Sequence, residues 1–120
     1  MKKFFLATGV ALMASVGGLG VSHAANVSTS EMVTICQDTG NAAAQNFCNG
    51  YAQGVYDMYV SGIHPTKNPP YVCFPNPGPK REDAIKGYVA WASKATEYSR
   101  LPAADTMMRY LATTYPCKKK

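Results

Sequence analysis

The chain has 120 residues, 47% of them hydrophobic and 16% charged, a balance that belongs to a globular domain and excludes a disordered or low-complexity polymer. Its twelve Lys and Arg against seven Asp and Glu suggest a basic protein, but five of those bases sit at the two ends, and residues 25–117 carry seven of each sign. A neutral body with a three-lysine tail at Lys118–Lys120 is a poor polyanion binder, so nucleic acid is not an expected partner.

Along the chain, Lys2 and Lys3 precede an apolar run from Phe4 to Val16, and Ser22-His23-Ala24 places small residues where a signal peptidase would cut. Residues 1–24 therefore read as a removable secretory signal with a bacterial periplasmic destination. The run is broken by Gly17, Gly18 and Gly20, and no later stretch approaches the roughly 20 apolar residues of a transmembrane helix, so membrane insertion is not expected. Residues 25–120 then form one domain, at a size where the core alone is marginal.

Ser28-x-x-Glu31 has the form of a capping box, and a short helix from about Thr29 to Gln37 follows it. After the break at Thr39-Gly40-Asn41, apolar residues recur at three- and four-residue steps through Ala44, Phe47, Cys48, Tyr51, Val55, Met58 and Tyr59, which predicts an amphipathic helix to about Ser61. Gly50 and Gly54 lie within it at a cost of about 1 kcal/mol each relative to alanine. Their spacing predicts a line along which another helix packs closely.

From Gly62 to Lys80 six prolines rule out helix and central strand, leaving a semi-rigid loop pinned at Cys73. Glu82 and Asp83 mark the first turn of a third helix, with Ile85, Tyr88, Val89, Ala92 and Thr96 along one face, running to about Ser99. Pro102 is expected at the first position of a last helix that ends before Pro116 and buries Ala104, Met107 or Met108, Leu111 and Tyr115. Met32, Met58, Met107 and Met108 read as core fillers. The fold class is all-α: a small bundle of about four helices with one long proline-rich loop at 62–80.

Cys36, Cys48, Cys73 and Cys117 all follow the signal, and without a C-x-x-C spacing in an oxidising compartment they read as disulfides, with no metal or other cofactor implied. Four thiols allow three pairings, which the sequence leaves open. Local pairing, Cys36 with Cys48 and Cys73 with Cys117, is the preferred expectation, its loops contributing roughly 3 and 4 kcal/mol in the chain-entropy model.

Three strings carry a resemblance: Phe47–Asp57 (FCNGYAQGVYD), Cys73–Pro75 (CFP) and Tyr115–Cys117 (YPC). The chain resembles the Rap/Tai family of periplasmic immunity proteins, which neutralise peptidoglycan amidases injected by the type VI secretion system. The resemblance spans about Glu31 to Cys117. It implies a compact all-helical, disulfide-bonded domain that often dimerises, with a cognate amidase toxin as partner. The departure is the 62–80 loop, whose proline content is not a family constant.

Catalysis has little to draw on. His64 is the one histidine after the signal, the cysteines are accounted for, and Glu82, Asp83 and Asp105 are first-turn acids. No enzyme activity is expected. Tyr71 and Phe74 lie in the stiff loop where no periodic face claims them, which makes them low-entropy interface anchors. With His64 and Lys67 they form the candidate partner-binding set, although Phe74 also suits packing beneath the loop beside Cys73. The alternative function is a periplasmic acid-stress chaperone or another envelope binding protein, disfavoured by the two disulfides and the small number of carboxylates available for a protonation switch.

Overall fold

The computed structural model describes residues 25–63 and 68–118. The expected signal at 1–24, the candidate residues His64 and Lys67, and the last two lysines lie outside the described residues. Four helices run in the order α1 (Thr29–Gln37), α2 (Ala42–Gly62), α3 (Arg81–Ala92) and α4 (Ala103–Thr114), with a 3-10 turn at Thr96–Tyr98. Among the described residues there is no strand, and the fold is all-α as the periodicity implies.

The helix starts follow local chemistry. At α1 the Ser28 amide and hydroxyl donate to the Glu31 carboxylate at 2.9 and 2.7 Å while the Glu31 amide donates back to Ser28 Oγ, closing the capping box. Hydrogen bonds from the Ser28 side chain and then its backbone hold the exposed Glu31 carboxyl below the usual carboxylate range. Asn41 caps α2 by accepting from the Ala44 amide at 3.1 Å. Gln45 closes the α1–α2 turn, its amide donating to the carbonyls of Cys36 and Asp38.

The starts of α1 and α4 lie side by side and satisfy each other. The Thr29 and Ser30 amides donate to the carbonyls of Leu101 and Ser99 at 2.9 and 3.0 Å, and the Ala103 amide donates to Val27 at 2.8 Å. This arrangement corrects two expectations. α3 ends at Ala92, not near Ser99, because the chain must turn there to bring the Ser99 and Leu101 carbonyls to α1. Pro102 is the N-cap of α4, with extended backbone, and Ala103 takes the first helical position.

All four helices contact one another around Met32, Cys36, Cys48, Tyr88, Ala92, Ala103 and Met107. A buried hydroxyl chain crosses this core: the Tyr88 hydroxyl lies 3.0 Å from Thr106 Oγ1, which lies 2.8 Å from Thr29 Oγ1, and Thr29 donates to the Leu101 carbonyl. Burial pushes the Tyr88 phenol up, against the opposing pull of its Thr106 and Thr29 hydrogen bonds. Cys36–Cys48 ties the end of α1 to α2, and Cys73–Cys117 ties the proline-rich segment to the residues after α4, which settles the pairing the sequence left open.

Three other placements differ from expectation. Met58 is 73% exposed, while Met32 and Met107 do fill the core. Of the residues expected along the buried face of α4, only Met107 is fully buried; Ala103 and Thr106 join it, and Ala104, Met108, Leu111 and Tyr115 are half-buried. Gly50 and Gly54 do not pack against another helix among the described residues: both are exposed, and apart from α2's own neighbouring backbone nothing lies within 4 Å of the Cβ either would carry. The four-residue spacing identified one face of α2, but α1, α3 and α4 cover the opposite one, where Cys48 and Tyr59 are buried. The close approach occurs at Gly87, where an added Cβ would clash with the Tyr110 ring and hydroxyl.

Candidate functional site

The described part of the proline-rich segment, residues 68–80, is built as a strap. Its prolines fix φ and remove amides, so its shape must be held by the few donors that remain and by side chains. Val72 pairs with Pro116 in an isolated bridge, the Cys73 amide donates to the Tyr115 carbonyl at 2.8 Å, and the Cys73–Cys117 disulfide closes the same junction. From the other side, the buried Tyr59 hydroxyl of α2 accepts from the amides of Tyr71 and Val72 at 3.0 and 2.9 Å.

Tyr71 and Phe74 take different positions on this strap. Tyr71 is 49% exposed, its ring set edge-on to Tyr59 at 4.7 Å. Partial burial, and then the nearby Tyr59 phenol, raise its pKa. Phe74 is half-buried, with its ring 5.4 Å from Tyr56 and 4.9 Å from Tyr115. These contacts form a continuous aromatic row, Tyr71–Tyr59–Tyr56–Phe74–Tyr115, that carries the strap across α2 to the end of α4.

Beside this row, between α2, α3, α4 and the strap, opens a cavity of about 330 Å³. Val55, Phe74, Ile85, Met107 and Leu111 give it apolar walls, and Tyr56, Tyr110 and Arg81 bring polar ends to it. A second exposed apolar surface lies on the outer side of α2, where Phe47 is nearly half exposed and Met58, about three turns on and on the same side, is largely exposed.

The sequence pattern flagged Tyr71 and Phe74 but missed Tyr56, Arg81 and Tyr110. Tyr56 falls off the apolar stripe that defines α2, and Arg81 at a helix start has the pattern of a solvated residue; no signal in either position announces a cavity. Trp91 is half-buried among Tyr88, Tyr98 and Tyr110.

Chemical equipment at these surfaces is sparse. All four cysteines are in disulfides, and among the described residues no group of three or more His, Cys, Asp or Glu converges as metal ligands. No helix among them is long and apolar enough to cross a membrane. What the surfaces offer is shape, aromatic area and a guanidinium, Arg81, with no ion pair among the described residues, the equipment of recognition.

A family model described as Rap1a immunity proteins matches residues 28–117, which is most of the chain, and the chain belongs to that family. No curated protein and no solved structure matches it.

Proposed function

From membership of the Rap1a immunity protein family, we propose that the chain is the dedicated inhibitor of a type VI secretion peptidoglycan amidase, acting in the periplasm after removal of its signal at 1–24. The family match over residues 28–117 is the observation that carries this reading. The protein performs no chemistry of its own. It binds the effector and blocks the cleft through which peptide substrate reaches the amidase's nucleophile.

The geometry supports inhibition by a preorganised surface. Ordering a flexible loop on binding would subtract from affinity, whereas a strap fixed by proline, by Cys73–Cys117 and by Tyr59 has already lost that entropy. Tyr71 is its exposed aromatic, and His64 and Lys67 belong to the same proposed contact. A homodimer, expected from the family, would find its apolar surface on the outer side of α2 around Phe47 and Met58.

Co-expression should rescue cells from a cognate type VI amidase directed to the periplasm, and the purified pair should form a complex in which peptidoglycan cleavage stops. An acid-stress chaperone would instead suppress aggregation of unrelated clients at low pH and leave the amidase active. That second result would sink the immunity reading.

A further inference from the structure

We propose that the cavity between α2, α3, α4 and the proline-rich strap is a socket for one apolar side chain of the effector, and that a carboxylate beside that side chain on the effector is received by Arg81. The proposal rests on the immunity reading and adds to it where on the molecule the effector is gripped and by what chemistry.

Size and lining favour a side chain. At about 330 Å³ the cavity is at the small end of ligand sites, room for a single large apolar group, and its walls at Val55, Ile85, Met107 and Leu111 are hydrocarbon. Interface hot spots have this form: an anchor residue desolvated in a pocket that exists before binding. The pocket is held open from two sides. Phe74 is fixed by the strap's disulfide, and Tyr110 lies over Gly87, the one helical glycine at which a Cβ would collide with a neighbour.

Charge indicates what accompanies the anchor. Arg81 lines the cavity, is exposed, and has no ion pair; among the described residues the one ion pair is Arg109–Asp105. The Tyr56 and Tyr110 rings also line the cavity, and their hydroxyls form no hydrogen bond with another described residue; the Tyr110 hydroxyl stands over Gly87, further along α3. Glu82 and Asp83 follow Arg81 in the same turn but do not line the cavity; Asp83 lies toward Tyr115, whose phenol is raised first by burial, then by Tyr110 and last by Asp83. A guanidinium at the edge of an apolar pocket matches a carboxylate in preference to an amine.

Continuity with the strap favours a protein occupant. The strap carries exposed Tyr71 and, three residues on, Phe74 at the cavity wall, so a partner that rests on the strap is within reach of the socket.

The test uses the full mature chain and a catalytically inactive form of the amidase from which it rescues cells, with affinity measured by calorimetry. Ala84→Trp fills the socket and should weaken binding by about 30-fold or more, the equivalent of one hot spot. Arg81→Glu, at an exposed position that leaves the core intact, should weaken binding at low salt and lose part of that effect at high salt. Lys94→Glu, two residues beyond the far end of α3, serves as the charge control and should bind as wild type. Circular dichroism and thermal melts verify folding, and if Ala84→Trp fails to fold then Arg81→Glu decides the question. Wild-type binding with both folded variants unaffected would overturn the socket and leave the immunity reading standing. A weakened Arg81→Glu beside an unaffected, folded Ala84→Trp would also overturn the socket. No binding of the wild type removes both proposals.

Discussion

At the scale of single residues, the glycines separate what sequence spacing suggests from what packing requires. Gly50 and Gly54 stand in the interior of α2 with open space where a Cβ would be, so alanine at either should stabilise by roughly 0.5–1 kcal/mol through helix propensity alone. Gly87→Ala should do the reverse, because the new methyl meets Tyr110; a cost on the order of 1–3 kcal/mol is expected for such overpacking. Denaturant melts of the three variants check both signs, and a stabilised Gly87→Ala would show that Tyr110 moves aside freely. Tyr59 makes a similar distinction between ring and hydroxyl. Phenylalanine there keeps the packing but strands the Tyr71 and Val72 amides that the hydroxyl accepts from, at about 1–3 kcal/mol. Amide exchange of Val72 should accelerate more than that of the helices.

At the scale of elements, the parts legible in the sequence are those set within a few residues. The Ser28-x-x-Glu31 box, the α1 bounds and the extent of α2 follow from capping and periodicity, and the structure has them. The end of α3 was not legible, since nothing between Ser93 and Ser99 is a strong breaker; the turn exists to deliver carbonyls to α1, seventy residues away in the chain. For the same reason Tyr71 and Phe74 stood out as aromatics without a periodic face, while the cavity beside them, assembled from three helices and the strap, left no local mark. The capping box also carries a pH signature. Glu31 has a lowered pKa in the fold, so its stabilising contribution is present above the ordinary glutamate value near 4.3 and is lost as pH falls through the lower folded value. Glu31→Gln should therefore flatten the acid limb of a stability profile below about pH 4.3 and leave the slope above it unchanged. An acid limb identical to wild type would mean the box makes no such contribution.

At the scale of the whole molecule, the two disulfides serve different bodies. Cys36–Cys48 is buried within the helical core, at 7% and 1% exposure, and joins α1 to α2 where both already pack. Cys73–Cys117 holds the strap to the end of the chain, with Cys73 exposed and Cys117 half-buried. A reductant reaches a disulfide through solvent, so access should order the two reductions. Under mild reducing conditions at neutral pH, peptide mapping should find Cys73 and Cys117 alkylated while Cys36 and Cys48 remain joined. The helical circular dichroism should persist in that intermediate, because its core clusters on α1 to α4 without using the strap's cysteines. Global stability should still fall, by up to about 4 kcal/mol, as the large loop regains its freedom in the unfolded chain. If the strap is the surface that meets the effector, inhibition should be lost at this first reduction, before any loss of helix, since the contact's preorganisation depends on the staple. Simultaneous reduction of both bonds, or a singly reduced protein that inhibits as well as the oxidised one, would show that the strap keeps its shape by packing and proline alone.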